Sequence, residues 1–173
     1  MIETRPLPDS PFGVEILGVD FSKSVSDGDI RTILRLFHEH EVILVREQEM
    51  DYDRYDWLTR HFGNHHPHFL DHLRLEGHPA ILLLSNIIED GNPVGVFEGA
   101  AFWHTDVAYE DPPNSSTVVY GREWGEQGCP THFCDTRGAY DALPDTMKER
   151  IDDLTVLHHY GNREDLNEHS KTS

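Results

Sequence analysis

The chain has 173 residues, 37% of them hydrophobic and 10% aromatic, enough for one domain with a packed core and too apolar for a disordered acidic chain. Its formal net charge of −18 opposes nucleic acid and anionic lipid, so neither is an expected partner. No apolar run is long enough to span a bilayer, and the N-terminal MIETRPLPDSPFG carries no hydrophobic signal region. Cys129 and Cys134 make a single pair, which reads as reduced thiols in a cytoplasmic protein rather than as a zinc ribbon or a disulfide.

In chain order, SVSDGDIRTILRLFHEH predicts a helix capped by Ser26, with Asp29 three residues on and Ile30, Ile33, Leu34 and Phe37 as its apolar face. EVILVRE predicts a short buried strand around Val42–Val45. MDYDRYDWLTRHFG predicts a second helix, with Tyr55, Leu58 and Phe62 on one face and Gly63 just past its end. Ala80–Leu84 is a continuous apolar strand, and IIEDGNPVG carries turn signals at Asp90-Gly91 and Asn92-Pro93. STVVYG, after the breaker Pro112-Pro113, reads as a strand, and EWGEQGCP as a turn leading into THFCD. ALPDTMKERIDDL predicts a third helix with Met147, Ile151 and Leu154 on one face and Pro144 near its start. TVLHHYGNRED is a last short strand before a polar tail. The pattern is α+β, with helices decorating a mainly antiparallel sheet.

One segment, FWHTDVAY, carries chemistry. If it is a strand, His104 and Asp106 project from the same face, about 6.5–7 Å apart at Cα. An imidazole and a carboxylate on one edge are two of the three ligands of a facial triad, which leaves open positions on Fe(II); zinc accepts the same ligand types. Phe102 and Trp103 beside them suit an apolar shell around such a site. The plain alternative is a hydrogen-bonded histidine beside a turn aspartate. Tyr109, close to the same edge, reads as a packing residue or as part of a substrate pocket. RHFGNHHPHFLDHLRLEGH brings six histidines, His61, His65, His66, His68, His72 and His78, which read as a solvated loop with pocket residues or as a second metal site.

LLLSNIIEDGNPVG, FWHTDVAYEDPP and STVVYGREWGEQGCPTHFCDTRGAYDALPDTMKERIDDLTVLHHYGNRED, with FGVEILGVDFSKSVSDGDI, EHEVILVREQEMD and RHFGNHHPH in the same order, resemble the TauD/TfdA family over about Arg5 to Asp165. These are taurine dioxygenase-like, Fe(II)- and 2-oxoglutarate-dependent oxygenases. The resemblance implies a double-stranded β-helix, a jelly-roll or cupin-like core with decorating helices, as one domain over residues 1–173. It implies that His104 and Asp106 are iron ligands and that Thr131 hydrogen-bonds 2-oxoglutarate. Cys129 and Pro130 stand where the family has glycine and aspartate. Asn86 would line the co-substrate and substrate pocket, and His68, or equally His66, would touch substrate. The implied reaction takes a small organic substrate, such as a sulfonate or an aryloxyacetate, with 2-oxoglutarate and O2, and releases succinate and CO2.

The family also uses a third ligand histidine and an arginine that grips the distal 2-oxoglutarate carboxylate. Neither has a counterpart here; His158, His159 and His169 stand at the wrong chain positions. The expectation is therefore the N-terminal portion of such a domain. Its barrel would be incomplete at the C-terminus, with open strand edges that favour homo-oligomers. Two other readings stand beside the oxygenase: a non-enzymatic or partner-complemented barrel module, and a zinc or iron protein using His104, Asp106 and the histidine cluster.

Overall fold

The computed structural model describes residues 2–65, 67, 71–96, 103–123 and 130–158. The chain divides into two compact units, residues 1–103 and 104–173.

The first unit is built on a three-stranded sheet of β1 (Glu3–Pro6), β2 (Val14–Leu17) and β3 (Ile43–Leu44), with helix α1 (Asp27–His40) between the last two. β1 runs antiparallel to β2, and β2 runs parallel to β3, so α1 is a crossover helix. The cap of α1 is as the sequence predicts: Ser26 Oγ accepts from the Asp29 N–H at 3.1 Å and donates to the Asp29 carboxylate at 2.8 Å. The helix ends at Glu41, where φ is +67 and the N–H bonds the Phe37 carbonyl. Its buried residues are Ile30, Ile33 and Leu36, so the inner stripe is centred nearer Leu36 than predicted; Leu34 and Phe37 are half-buried at its margin.

Ile16, Phe21, Ile33, Leu36 and Leu58 form the core, with Ile43, Val45, Trp57 and Phe62 packed against it. Alternation puts Glu15 on the other face of β2 from Val14 and Ile16. There it is only 3% exposed. Arg5, its register partner on β1, donates to Oε2 at 2.7 and 3.2 Å, and Arg46 Nε lies 3.4 Å from Oε1. The Arg5 hydrogen bond comes first among the effects, and the charges of Arg5 and Arg46 add to it. Together they outweigh burial and hold the Glu15 carboxyl below its ordinary range.

Helix α2 (Tyr52–Thr59) is capped by Asp51, which accepts from the Arg54 N–H at 2.7 Å. It stops four residues short of Gly63, so Phe62 lies beyond it and meets Phe37 edge-on at 5.6 Å. Arg54 donates to the carbonyls of Phe21 and Lys23 and stacks 3.7 Å from the Trp57 ring centre. After a short 3-10 turn (Asp71–Leu73), β4 (Arg74–Leu75) and β5 (His78–Leu82) form a hairpin through Gly77. β5 begins two residues before the predicted Ala80–Leu84 run, and Leu84 makes only an isolated bridge to Val96. β6 (Ile88–Glu89) and β7 (Asn92–Pro93) close around Asp90 and Gly91, both with positive φ, as a two-residue hairpin turn requires. Asn92-Pro93 is thus a strand and not the second turn predicted.

In the second unit the regular elements among the described residues are two helices, α3 (Thr136–Asp141) and α4 (Asp145–Ile151). The predicted strands over the described parts of FWHTDVAY, STVVYG and TVLHHYGNRED are irregular backbone or turn instead. A strand is held by ladder hydrogen bonds to a neighbour, and no strand runs beside these segments among the described residues. α3 is not in the sequence reading; Asp135 caps it by accepting from the Gly138 N–H at 2.7 Å. α4 starts after Pro144 as predicted but ends at Ile151, and Met147 and Leu154 are 40% and 67% exposed. The described sheets have three, two and two strands and do not close into a barrel.

Candidate active site

His104 and Asp106 meet, though not by the predicted route. Residues 103–105 are irregular and residues 106–109 form a turn, tied by the Glu110 N–H to the Val107 carbonyl at 3.2 Å. Where the irregular segment enters the turn, His104 Nε2 lies 3.0 Å from Asp106 Oδ1. The side chains are 37% and 43% exposed, open enough to be reached from solvent and sheltered enough to hold a geometry.

At 3.0 Å the two are in direct hydrogen-bond contact, the plain alternative stated above, and the same distance also fits two ligands of one ion. Two donors each about 2.1 Å from a metal and at right angles to each other lie about 3 Å apart. The other carboxylate oxygen is already engaged: Thr117 Oγ1 donates to Asp106 Oδ2 at 2.8 Å. A ligating carboxylate is normally held in this way by a partner outside the metal's own ligands. So the pair offers one imidazole nitrogen and one carboxylate oxygen, side by side. Among the described residues no third His, Cys, Asp or Glu joins them.

Tyr109 is half-buried at the end of the same turn. Thr131 is exposed on the irregular segment before α3. Asn86 belongs to the first unit, exposed between β5 and β6. His66 and His68 lie outside the described residues, as do Cys129, His159 and His169. Cys134 is a free, exposed thiol.

His61, His65 and His78 of the cluster have separate local partners. His65 Nε2 bonds Thr59 Oγ1 at 2.9 Å, and its Nδ1 lies 3.2 Å from Asp56. His61 packs edge-on against Trp57, and His78 lies 3.5 Å from Asp53 and against the Tyr52 ring. Among the described residues the cluster does not gather into a metal site. The residue that sequence reasoning missed is Thr117. It sits in STVVYG, eleven residues beyond Asp106, and a threonine in a β-prone run gives no signal of such a bond.

The model of the family described as taurine catabolism dioxygenase TauD, TfdA family, matches residues 3–173. The chain belongs to the TauD/TfdA family. It is 29% identical over 156 residues to pentalenolactone F synthase of Streptomyces avermitilis, covering 88% of this chain and 51% of that protein. It is 26% identical to the alpha-ketoglutarate-dependent 2,4-dichlorophenoxyacetate dioxygenase of Cupriavidus pinatubonensis, covering 86% of this chain and 55% of that one. To the alpha-ketoglutarate-dependent sulfonate dioxygenase of Saccharomyces cerevisiae it is 30% identical, covering 84% and 36%. The chain thus spans between 36% and 55% of the length of these three relatives. It shares its fold with the crystal structure of AAD-2 in complex with Mn(II) and N-oxalylglycine, at a TM-score of 0.58 and 24% identity over 88% of this chain and 54% of that one.

Proposed function

We propose that this TauD/TfdA-family chain carries the Fe(II)-binding part of a 2-oxoglutarate-dependent dioxygenase that hydroxylates a small organic sulfonate or carboxylate. The carrying observation is the pair itself, with His104 Nε2 and Asp106 Oδ1 3.0 Å apart. The names of two relatives support the co-substrate, since both are alpha-ketoglutarate-dependent dioxygenases. Fe(II) held there would supply the redox chemistry that couples oxidation of 2-oxoglutarate by O2, to succinate and CO2, with conversion of a substrate C–H to C–OH. His104 would contribute a neutral nitrogen lone pair and Asp106 a single anionic oxygen. The Thr131 hydroxyl would bond 2-oxoglutarate, and Tyr109, on the turn that carries Asp106, would border the substrate. In this reading the fold is a jelly roll, the chain is part of one catalytic domain, and the protein is cytoplasmic. The net charge of −18 repels an anionic substrate, so recognition has to rest on local donors and the metal.

The test is succinate formation from 2-oxoglutarate by the full chain, with Fe(II) and O2, over a panel of alkylsulfonates and aryloxyacetates. Turnover should need the metal and fall to background in His104→Ala and Asp106→Ala. Succinate formation that persists unchanged in both variants would reject the reading, as would failure of the chain to bind Fe(II).

A further inference from the structure

We infer that Thr117 is a positioning residue for Asp106: its hydroxyl pins one carboxylate oxygen so that the other is presented, alone, beside His104. The inference rests on the reading of His104 and Asp106 as metal ligands. A carboxylate on a turn turns easily about its last side-chain torsion, because that torsion is broad and roughly two-fold. What has to be fixed for Asp106 to act as a ligand is the plane of its carboxylate. The bond from Thr117 Oγ1 to one oxygen, Oδ2, at 2.8 Å holds that plane, and the other oxygen, Oδ1, lies 3.0 Å from His104 Nε2.

The choice of donor matters. A hydroxyl has one proton to give and no charge, so it orients the carboxylate without competing for its negative charge as an arginine or lysine would. It also engages the second oxygen. A carboxylate can hold an ion through one oxygen or two. With Oδ2 held by Thr117, Asp106 would offer an ion one oxygen and leave room for exchangeable ligands, as an open facial site needs.

The experiment is Mn(II) binding to the full chain, followed by the loss of the free-ion EPR signal, in wild type, Thr117→Val, Thr117→Ala, Thr117→Ser and His104→Ala. Urea unfolding of each metal-free protein runs beside it. Thr117→Val and Thr117→Ala should weaken Mn(II) binding about tenfold, the lower end of the range for such outer partners. Thr117→Ser should restore it, and metal-free stability should stay that of wild type. If Thr117→Val and Thr117→Ala bind Mn(II) as wild type does while His104→Ala does not, the role of Thr117 is refuted and the metal pair stands. Equal weakening in Thr117→Ser would also refute it, by assigning the effect to packing rather than to the hydroxyl. Binding undiminished in His104→Ala, or no binding by wild type, would overturn the metal reading and the Thr117 role with it.

Discussion

Replacing Gln48 by leucine removes one side chain that serves three backbone groups of the first unit. Its Oε1 accepts from the Phe21 N–H at 2.7 Å, and its Nε2 donates to the carbonyls of Val19 at 3.2 Å and Arg46 at 2.9 Å. These bonds tie the loop after β2 to the segment after β3. Phe21 is a core residue, 3% exposed, so its N–H has little access to water. A buried N–H left without a partner costs about 1–3 kcal/mol. The two carbonyls each keep a second lone pair and lie nearer solvent, so together they add about 1 kcal/mol. Leucine is one bond shorter than glutamine but of similar volume, which keeps the cavity term small. The expected loss is therefore about 2–4 kcal/mol, read as a lower urea midpoint at an unchanged slope.

Gln48→Glu separates the two halves of that argument. Its carboxylate still accepts from Phe21 but faces two carbonyl oxygens where the amide donated. The folded state then favours the protonated acid, so the folded pKa rises above the ordinary glutamate value. The contribution is complete below the unfolded pKa of about 4.3 and is lost as pH rises through the higher folded value. The gap between this variant and wild type should be smallest near about pH 4 and widest near about pH 7. A leucine variant within about 0.5 kcal/mol of wild type, or a glutamate gap flat across that range, would refute the reasoning.

Ile33, 1% exposed and surrounded by Ile16, Phe21, Leu36 and Leu58, should cost about 2–5 kcal/mol on truncation to alanine; calorimetry or urea unfolding reads this directly, and a loss under about 1 kcal/mol would place the core elsewhere. Burial pushes the Tyr55 phenol from 10.0 up to about 12. The folded state keeps that proton while the unfolded state releases it, so stability should fall as pH rises from about 10 to about 12. Tyr55→Phe should lose less stability than wild type across that window, and parallel pH profiles for the two proteins would contradict the assignment.

The first unit was legible because its signals are local. The Ser26 cap, the α1 stripe and the Asp90-Gly91 turn each depend on side chains within a few residues, and each is found. Legibility failed where one residue's place depends on a distant one. Glu15 looks like a surface glutamate in sequence, and its burial follows only from the register that sets Arg5 opposite it. Phe62 keeps its core contacts although α2 stops before it. The strands predicted after residue 103 have the right composition, but β-propensity describes fit to a neighbouring strand and cannot supply one.

The candidate site shows both sides of this. Residue types and spacing pointed to His104 and Asp106, but the reason attached to the spacing was a strand. In a strand, two residues on one face are held about 6.5–7 Å apart at Cα and their side chains stand parallel, which is a poor way to bring a nitrogen and an oxygen to 3.0 Å. Irregular backbone at 103–105, running into the turn 106–109, lets the two side chains converge. Val107, directly after the pair, has φ +53, a costly conformation for a β-branched residue. Strain of this kind persists where surrounding contacts over-determine it, and it concentrates at functional sites. A turn, unlike a strand, has no ladder to fix its side chains. That is why the second oxygen of Asp106 needs a partner from outside the turn, and why the spacing of the pair alone could never have disclosed Thr117.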